Sequence, residues 1–134
     1  MTKSARTRTP THRLNLPDGA GRAGEAAAES ILRLHGYEIV RTNFRVREGE
    51  IDLVCRSGNQ FVFVEVKTRR TCSYGLPEES LSPAKAARLI TTAQAFLELV
   101  DQPDADWRID VLAIEMDHAG RVIRSNLVEN AVTG

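Results

Sequence analysis

The sequence lacks the features that mark secreted scaffolds and membrane proteins. Its 134 residues contain two cysteines, Cys55 and Cys72, whose number and spacing fit neither a disulfide framework nor a cysteine metal site. No apolar run approaches the length of a membrane span. The N-terminal segment has no apolar stretch of the secretory-signal type. We therefore expect a cytoplasmic protein with no membrane partner.

Charge of one sign is not in excess overall, but it is unevenly distributed. The formal net charge is zero, whereas residues 1–24 carry five basic groups against one acidic group. Residues 41–70 hold seven basic and four acidic groups, and residues 98–117 hold seven acidic groups and Arg108 alone. Positive charge gathered in one region suits a polyanionic substrate. Ordinary solvated surface charge is the alternative interpretation.

The hydrophobic pattern predicts one α/β domain behind a basic tail. Residues 1–18 are rich in Thr, Arg and Pro, a composition typical of a disordered segment. Residues 19–134 form the domain, which is large enough for its own core. Periodicity and punctuation predict the order α-β-β-β-α-β-β, which makes a mixed sheet flanked by helices. The predicted helices span about 21–35 and 83–100, with core stripes of Ala27, Ile31 and Leu34 on the first and of Leu89, Ala93, Phe96 and Val100 on the second. Glu25 is expected in the first turn of the first helix. The strands span about 37–46, 51–55, 61–67, 107–116 and 121–127, with a possible interruption at Asn43 and a loop from Thr68 onward.

Charged residues inside a predicted β-hairpin are the most informative feature. Two apolar runs flank the turn-forming segment 56–59, yet they contain Asp52, Glu65 and Lys67. Charged side chains are rarely buried unless they are paired or bind a metal. Side chains alternate along a strand, so Glu65 and Lys67 point the same way, about 6–7 Å apart. If the paired strand brings Asp52 to the same edge, the group resembles a metal site for phosphate chemistry.

The order of these residues resembles that of a nuclease superfamily. An acidic residue on a leading helix, then Asp on one strand and Glu-x-Lys on the next, is similar to the PD-(D/E)XK restriction-endonuclease-like proteins and to archaeal Holliday-junction resolvases. More narrowly, several strings over residues 20–132 resemble the YraN family of bacterial proteins, described as predicted endonuclease-like. These strings are Gly24-Glu25, Gly36-Tyr37, Gly49-Glu50-Ile51-Asp52-Leu53, Phe63-Val64-Glu65-Val66-Lys67-Thr68-Arg69, Tyr74-Gly75 and Arg108-Ile109-Asp110-Val111.

The resemblance implies a restriction-endonuclease-like fold and a catalytic set of Glu25, Asp52, Glu65 and Lys67. Carboxylate oxygens suit Mg²⁺ or Mn²⁺, so Asp52 and Glu65 are the expected main ligands, joined by the Val66 carbonyl and by Glu25. Lys67 is expected to position a water molecule or to stabilise charge on phosphorus. Each carboxylate taken alone is better explained by hydrogen bonds or ion pairs. The four residues of the set, taken together, favour the metal site.

Four further residues are candidate nucleic-acid contacts. Arg69 and Arg70 follow the Glu-x-Lys strand and are expected to contact phosphates, Tyr74 to stack on a base, and Lys85 to face the substrate. Solvent exposure is the alternative for the three cations, and packing beside Gly75 is the alternative for Tyr74. Glu50 is a ligand or a supporting residue, and Asp110 is expected to pair with an arginine.

The sequence thus predicts a metal-dependent endonuclease that acts on DNA, with structured or branched DNA implied by the resemblance alone. The alternative is a nucleic-acid-binding or adaptor protein with a nuclease-like fold and no useful catalysis. An RNA nuclease is a third possibility. A homodimer and an unidentified protein partner are also open.

Overall fold

Within the part of the chain that the structure describes, two helices and five strands follow one another in the predicted order. The computed structural model describes residues 20–70 and 80–132, with side chains from residue 24 onward. Predictions for the 1–18 tail and for Tyr74 fall outside these residues. The elements are α1 (Ala20–Leu34), β1 (Glu38–Val46), β2 (Gly49–Ser57), β3 (Gln60–Arg70), α2 (Pro83–Leu99), β4 (Trp107–Met116) and β5 (Val122–Val128). The α/β class and element order are confirmed.

All five strands form one mixed sheet in the order β1-β2-β3-β4-β5. The pairs β1/β2, β2/β3 and β4/β5 are antiparallel, whereas β3 and β4 are parallel from Phe61↔Trp107 to Arg70↔Met116. A parallel pair requires a crossover, which α2 supplies. Among the described helices none is long and apolar enough to cross a membrane.

One helix covers each face of the sheet. On the α1 face, Ala28 and Leu32 pack against residues such as Val62 and Val64. On the α2 face, Leu89, Ala93 and Phe96 pack against a second apolar cluster that includes Phe61 and Phe63. Because the middle of the sheet is covered on both sides, β3 and β4 have nearly continuous apolar runs. Burial of both faces is therefore what makes their few charged residues conspicuous.

The start of α2 follows its sequence signal closely. Ser82 is the N-cap residue, and its Oγ accepts a hydrogen bond of 3.1 Å from the Lys85 backbone N–H. Pro83 occupies the first helical position, where its missing N–H costs nothing. This cap fixes the position of Lys85 in the first turn of α2.

Several local predictions were wrong. Leu34 and Val100 were expected on core stripes, but they are 87% and 37% exposed. On α1 the fully buried positions are Ala28 and Leu32, whereas Ala27 and Ile31 of the predicted stripe are partly buried against the same cluster. Glu25 was expected in the first turn of its helix, but α1 begins at Ala20, so Glu25 lies in the second turn. Thr68 was expected to begin a loop, but pairing with β4 continues β3 to Arg70.

Candidate metal centre at a fork between two strands

The predicted site residues lie where β2 and β3 separate. Their pairing runs from Ser57↔Gln60 to Leu53↔Val64. Beyond Leu53 the described pairs of β2 are with β1 alone, whereas β3 continues along β4. Asp52 and Glu65 are the first residues past the last β2/β3 pair. The two strands therefore form a fork with one carboxylate on each arm.

A break in side-chain alternation turns Asp52 into this fork. Ile51 packs in the α2-face cluster and Leu53 in the α1-face cluster, although residues two apart on a regular strand share a face. On β1, Asn43 lies between the pairs Thr42↔Leu53 and Phe44↔Ile51 and has φ of 53°. Asn43, with its left-handed backbone conformation, lies opposite Asp52. Both strands change face at that point.

Asp52 also takes the place of the missing strand partner. Its Oδ2 accepts a hydrogen bond of 2.8 Å from the Val66 backbone N–H on β3. A buried backbone donor without a partner is costly, and no β2 residue pairs with Val66. One carboxylate oxygen of Asp52 is thus fixed to the β3 backbone. The expectation that a neighbouring strand brings Asp52 to the Glu65 edge is confirmed.

Two ammonium groups lie at the same fork. Lys85 Nζ is 3.1 Å from Glu65 Oε2, and the Glu65 side chain is only 11% exposed. Lys67 Nζ donates a hydrogen bond of 2.8 Å to the backbone carbonyl of Ser80, just before α2. The only other lysine in the chain is Lys3. Glu65 and Lys67 both contact groups on the α2 side, which confirms that they share one face.

Burial and like charge perturb the carboxylate on β2. Burial raises the pKa of Asp52 to about 8, and the nearby charges of Glu65 and Glu50 add to this rise. The Val66 hydrogen bond and the Lys85 charge act in the opposite direction and lower the pKa. Two acidic groups held this close disfavour a second negative charge. A cation bound between them would relieve that repulsion.

Glu25 lies on α1 next to the point where this helix approaches the same end of β3. A Cβ atom on the preceding residue, Gly24, would lie 2.6 Å from Thr68 Cγ2, so glycine is needed for α1 to approach β3 this closely. Glu25 is half-buried, and its helix lies on the opposite side of the sheet from Lys85. Its role as a ligand stays a prediction.

The donor set fits a hard cation that keeps several waters. Within residues 24–70 and 80–132, no three His, Cys, Asp or Glu side chains form a preformed metal cluster. Mg²⁺, however, is commonly held by one or two carboxylates together with waters and substrate phosphates. Asp52 and Glu65 meet that requirement. Val66, predicted to contribute its carbonyl, is held at the fork by the hydrogen bond from its N–H to Asp52.

Comparison with known proteins identifies the family of this chain. Residues 24–114 match the family described as "Uncharacterised protein family UPF0102". The chain belongs to UPF0102. The UPF0102 protein of Caldicellulosiruptor bescii is 42% identical over 112 residues, which cover 83% of this chain and 94% of the relative. The UPF0102 protein Lxx14785 of Leifsonia xyli subsp. xyli is 54% identical over 97 residues, which cover 72% and 82% respectively.

The UPF0102 match confirms the YraN resemblance and spans the fork. The matched segment runs from α1 to β4, so it contains Glu25, Asp52, Glu65, Lys67 and Lys85. It ends before β5. What the match establishes is family membership. Any activity must be argued from the side chains themselves.

The candidate nucleic-acid contacts do not share one surface. Arg69 and Arg70 are neighbours on a strand and therefore point to opposite faces. Arg69 shares the face of Glu65 and Lys67, whereas Arg70 donates a hydrogen bond of 3.1 Å to the His118 carbonyl. The Lys85 ammonium contacts Glu65.

Two acidic residues beside the motif have structural partners. Glu50 forms an ion pair of 3.2 Å with Arg45, which favours the supporting role over the ligand role. Asp110 is fully buried and accepts hydrogen bonds from Tyr37 Oη at 2.7 Å and Arg108 Nε at 3.0 Å. The predicted pairing of Asp110 with an arginine is confirmed.

Sequence reasoning missed two features of this region. Asn43 gave only the signal of a possible strand interruption, and nothing in its neighbours connects it to Asp52. Glu115 was counted among the acidic groups, but its place directly after four apolar residues of β4 was not used. It is 1% exposed and bonded to Arg124 on β5. A charged residue that follows an apolar run within a strand was the available signal.

Proposed function

We propose that this protein is a divalent-metal-dependent endonuclease that hydrolyses phosphodiester bonds in DNA. The observation that carries the proposal is the fork, which bears the carboxylates of Asp52 and Glu65, with the Lys85 ammonium paired to Glu65 and Lys67 on the same face of β3. Phosphoryl chemistry needs negative charge to hold a cation and positive charge to meet the substrate phosphate. Both are present on rigid strands and at a capped helix start.

Asp52 and Glu65 would hold Mg²⁺ or Mn²⁺, with Glu25 and the Val66 carbonyl completing the set. When bound, such an ion lowers the pKa of a water molecule and neutralises charge on the scissile phosphate. Asp52 is oriented by Val66 N–H at 2.8 Å, so its other oxygen is the one that faces a cation. Low exposure of Glu65 strengthens its electrostatic interactions.

The two lysines have separate roles in this proposal. Lys67 follows Glu65 by two residues and lies on the same strand face, so its ammonium group orients the attacking water or stabilises charge on phosphorus. Lys85 neutralises Glu65 in the structure, and a cation held by Glu65 would take over that role and leave the Lys85 ammonium for the substrate phosphate. Structured or branched DNA is the proposed substrate class, and it rests on the likeness to junction resolvases.

A second candidate is a nucleic-acid-binding or adaptor protein without catalysis. It is favoured by the position of Lys67, whose ammonium donates to the Ser80 carbonyl and, within residues 24–70 and 80–132, forms no ion pair with a carboxylate. The absence of a preformed three-ligand cluster among the described residues also fits it. Binding without cleavage would distinguish this candidate from the nuclease.

The decisive experiment is cleavage of labelled DNA in Mg²⁺ or Mn²⁺. Single-stranded, duplex, flap and four-way-junction substrates would be compared, with an RNA strand as a further arm. Wild-type protein would be tested beside Glu65→Gln, Lys67→Met and the control Glu98→Gln, which changes an exposed glutamate at the far end of α2. Thermal unfolding would verify that each variant is folded.

We expect metal-dependent cutting that the control keeps and both site variants lose. Equal cutting by wild type and Glu65→Gln would indicate a contaminating nuclease and contradict the proposal. No cutting by folded wild type, together with intact DNA binding, would favour the adaptor. Cutting confined to the RNA strand would replace DNA with RNA as the substrate.

A further inference from the structure

Three strands align two arginines and a buried glutamate beyond the fork. Arg69 on β3 pairs in register with Glu115 on β4, which in turn pairs with Arg124 on β5. Residues in register on neighbouring strands point to the same face of a sheet. Arg69 also shares the face of Glu65 and Lys67 because it follows them at even spacing. The row Arg69–Glu115–Arg124 therefore continues the surface of the candidate metal centre.

Glu115 holds the Arg124 guanidinium in one orientation. Glu115 is 1% exposed, and its Oε1 accepts a hydrogen bond from Arg124 Nε. The Arg124 side chain is 56% exposed. Since Nε is the atom bound to Glu115, that hydrogen bond uses one edge of the guanidinium, and the outer edge, formed by one N–H of each terminal NH₂ group, faces away from it. A guanidinium held through Nε presents a flat pair of donors, the geometry that suits phosphate oxygens.

The spacing suits a nucleic-acid backbone that leaves the fork. Arg69 lies four residues from Glu65, about 13 Å along the strand, and Arg124 lies two strands across, about 10 Å. The diagonal from Glu65 to Arg124 is therefore roughly 16 Å, which corresponds to about four to five base-pair steps of 3.4 Å each.

We propose that Arg124, held by Glu115 and assisted by Arg69, binds a backbone phosphate of the DNA whose cleavage site lies at the fork. This inference rests on the proposed function for the choice of DNA. It adds a contact on β5, outside the segment that the family match covers. The competing explanation is that Arg124 only neutralises buried Glu115. A purely structural ion pair would affect folding stability but leave DNA affinity unchanged.

The test is fluorescence anisotropy with a short fluorescein-labelled DNA duplex, in EDTA so that cleavage does not interfere. Arg124→Gln would be compared with wild type, with Arg124→Lys, and with the control Arg33→Gln. Arg33 matches Arg124 closely, since it is 58% exposed and bonded to Glu29, but it lies on α1. Affinity would be followed between roughly 50 and 200 mM salt, where phosphate contacts weaken markedly.

We expect Arg124→Gln to bind about threefold to tenfold more weakly, with the salt slope reduced by about one. Arg124→Lys should recover part of the affinity because it keeps the charge but loses the paired donors. Arg33→Gln should match wild type. Equal affinity and salt slope for Arg124→Gln and Arg33→Gln would overturn the inference, and so would absence of DNA binding by folded wild type.

The outcome separates from that of the cleavage assay. Weaker binding by Arg124→Gln in a protein that never cuts DNA would support the phosphate contact and refute the nuclease. Unchanged binding by Arg124→Gln in a protein that does cut DNA would refute the contact alone. The same variants titrated with labelled RNA of equal length would show whether RNA is the better partner, and an effect of Arg124→Gln confined to RNA would overturn the choice of DNA.

Discussion

Replacing Asp52 with asparagine should stabilise the metal-free protein, and the gain in stability over wild type should increase as the pH rises. The pKa of Asp52 is about 8 in the folded protein, against an ordinary value of 3.8. Between these values the folded protein keeps a proton that the unfolded chain has released, so wild-type stability falls as pH rises through this window. The amide introduced by Asp52→Asn would not titrate, yet its oxygen can still accept the Val66 N–H.

The size of the effect follows from the pKa difference. At about 1.4 kcal/mol per pKa unit, the rise in pKa sets a ceiling of about 6 kcal/mol at pH 8. Water reaches the half-buried carboxylate and screens it, so we expect about 2 kcal/mol. For a chain of this length that corresponds to roughly 6 to 10 °C in Tm.

The assay is thermal unfolding in EDTA between about pH 5 and pH 8.5. The quantity to compare is the change in Tm with pH for Asp52→Asn, for wild type and for Asp104→Asn, a control that changes an exposed loop residue. Mn²⁺ at pH 8 should raise the wild-type Tm more than that of Asp52→Asn, since a cation favours the ionised carboxylates. Parallel pH profiles for wild type and Asp52→Asn would refute the reasoning.

Three further predictions concern the surroundings of the fork. Lys85→Met should bind Mn²⁺ about threefold to fivefold more tightly than wild type in calorimetric titration, because Lys85 and the cation compete for Glu65 and a half-exposed ion pair is worth less than about 1 kcal/mol. An affinity no higher than that of an Arg88→Gln control would contradict this competition for Glu65. Asn43→Val should lower the urea-unfolding free energy by about 1–2 kcal/mol relative to Asn43→Gly, because a β-branched residue resists positive φ; equal stability would show that the bend does not need this conformation. Tyr37→Phe should cost about 1–3 kcal/mol, because buried Asp110 loses a hydrogen bond, and an unchanged Tm would show that Arg108 and the Asn130 N–H suffice.

Local chemistry was enough to locate most elements. The turn at Gly58, which has φ of 63°, and the Ser82-Pro83 helix start depend on residues adjacent in the chain. The strand Trp107–Met116 was predicted with its observed bounds because apolar residues predominate there, between an acidic loop and a turn. The helix core stripes were less predictable, because which side of a helix is buried depends on what packs against it.

The residue types of the candidate site were also visible in the sequence. Asp52, Glu65 and Lys67 stood out because charge inside apolar strands needs an explanation, and alternation alone placed Glu65 and Lys67 on one face. Lys85 was expected to face the substrate, but its ion pair with Glu65 was not predicted. Its contact with Glu65 joins residues 20 positions apart, and no local pattern encodes that distance.

Tertiary structure alone decided how these groups meet. The sequence determines that two carboxylates lie on successive strands, since strand periodicity is a local property. Three features of the site arise from pairing between strands. They are the separation of β2 from β3 at Leu53↔Val64, the change of face opposite Asn43, and the hydrogen bond from Val66 to Asp52. The row Arg69–Glu115–Arg124 likewise exists only through register. Backbone hydrogen bonds between distant segments set that register, so the site's residue types follow from sequence and its geometry follows from the sheet.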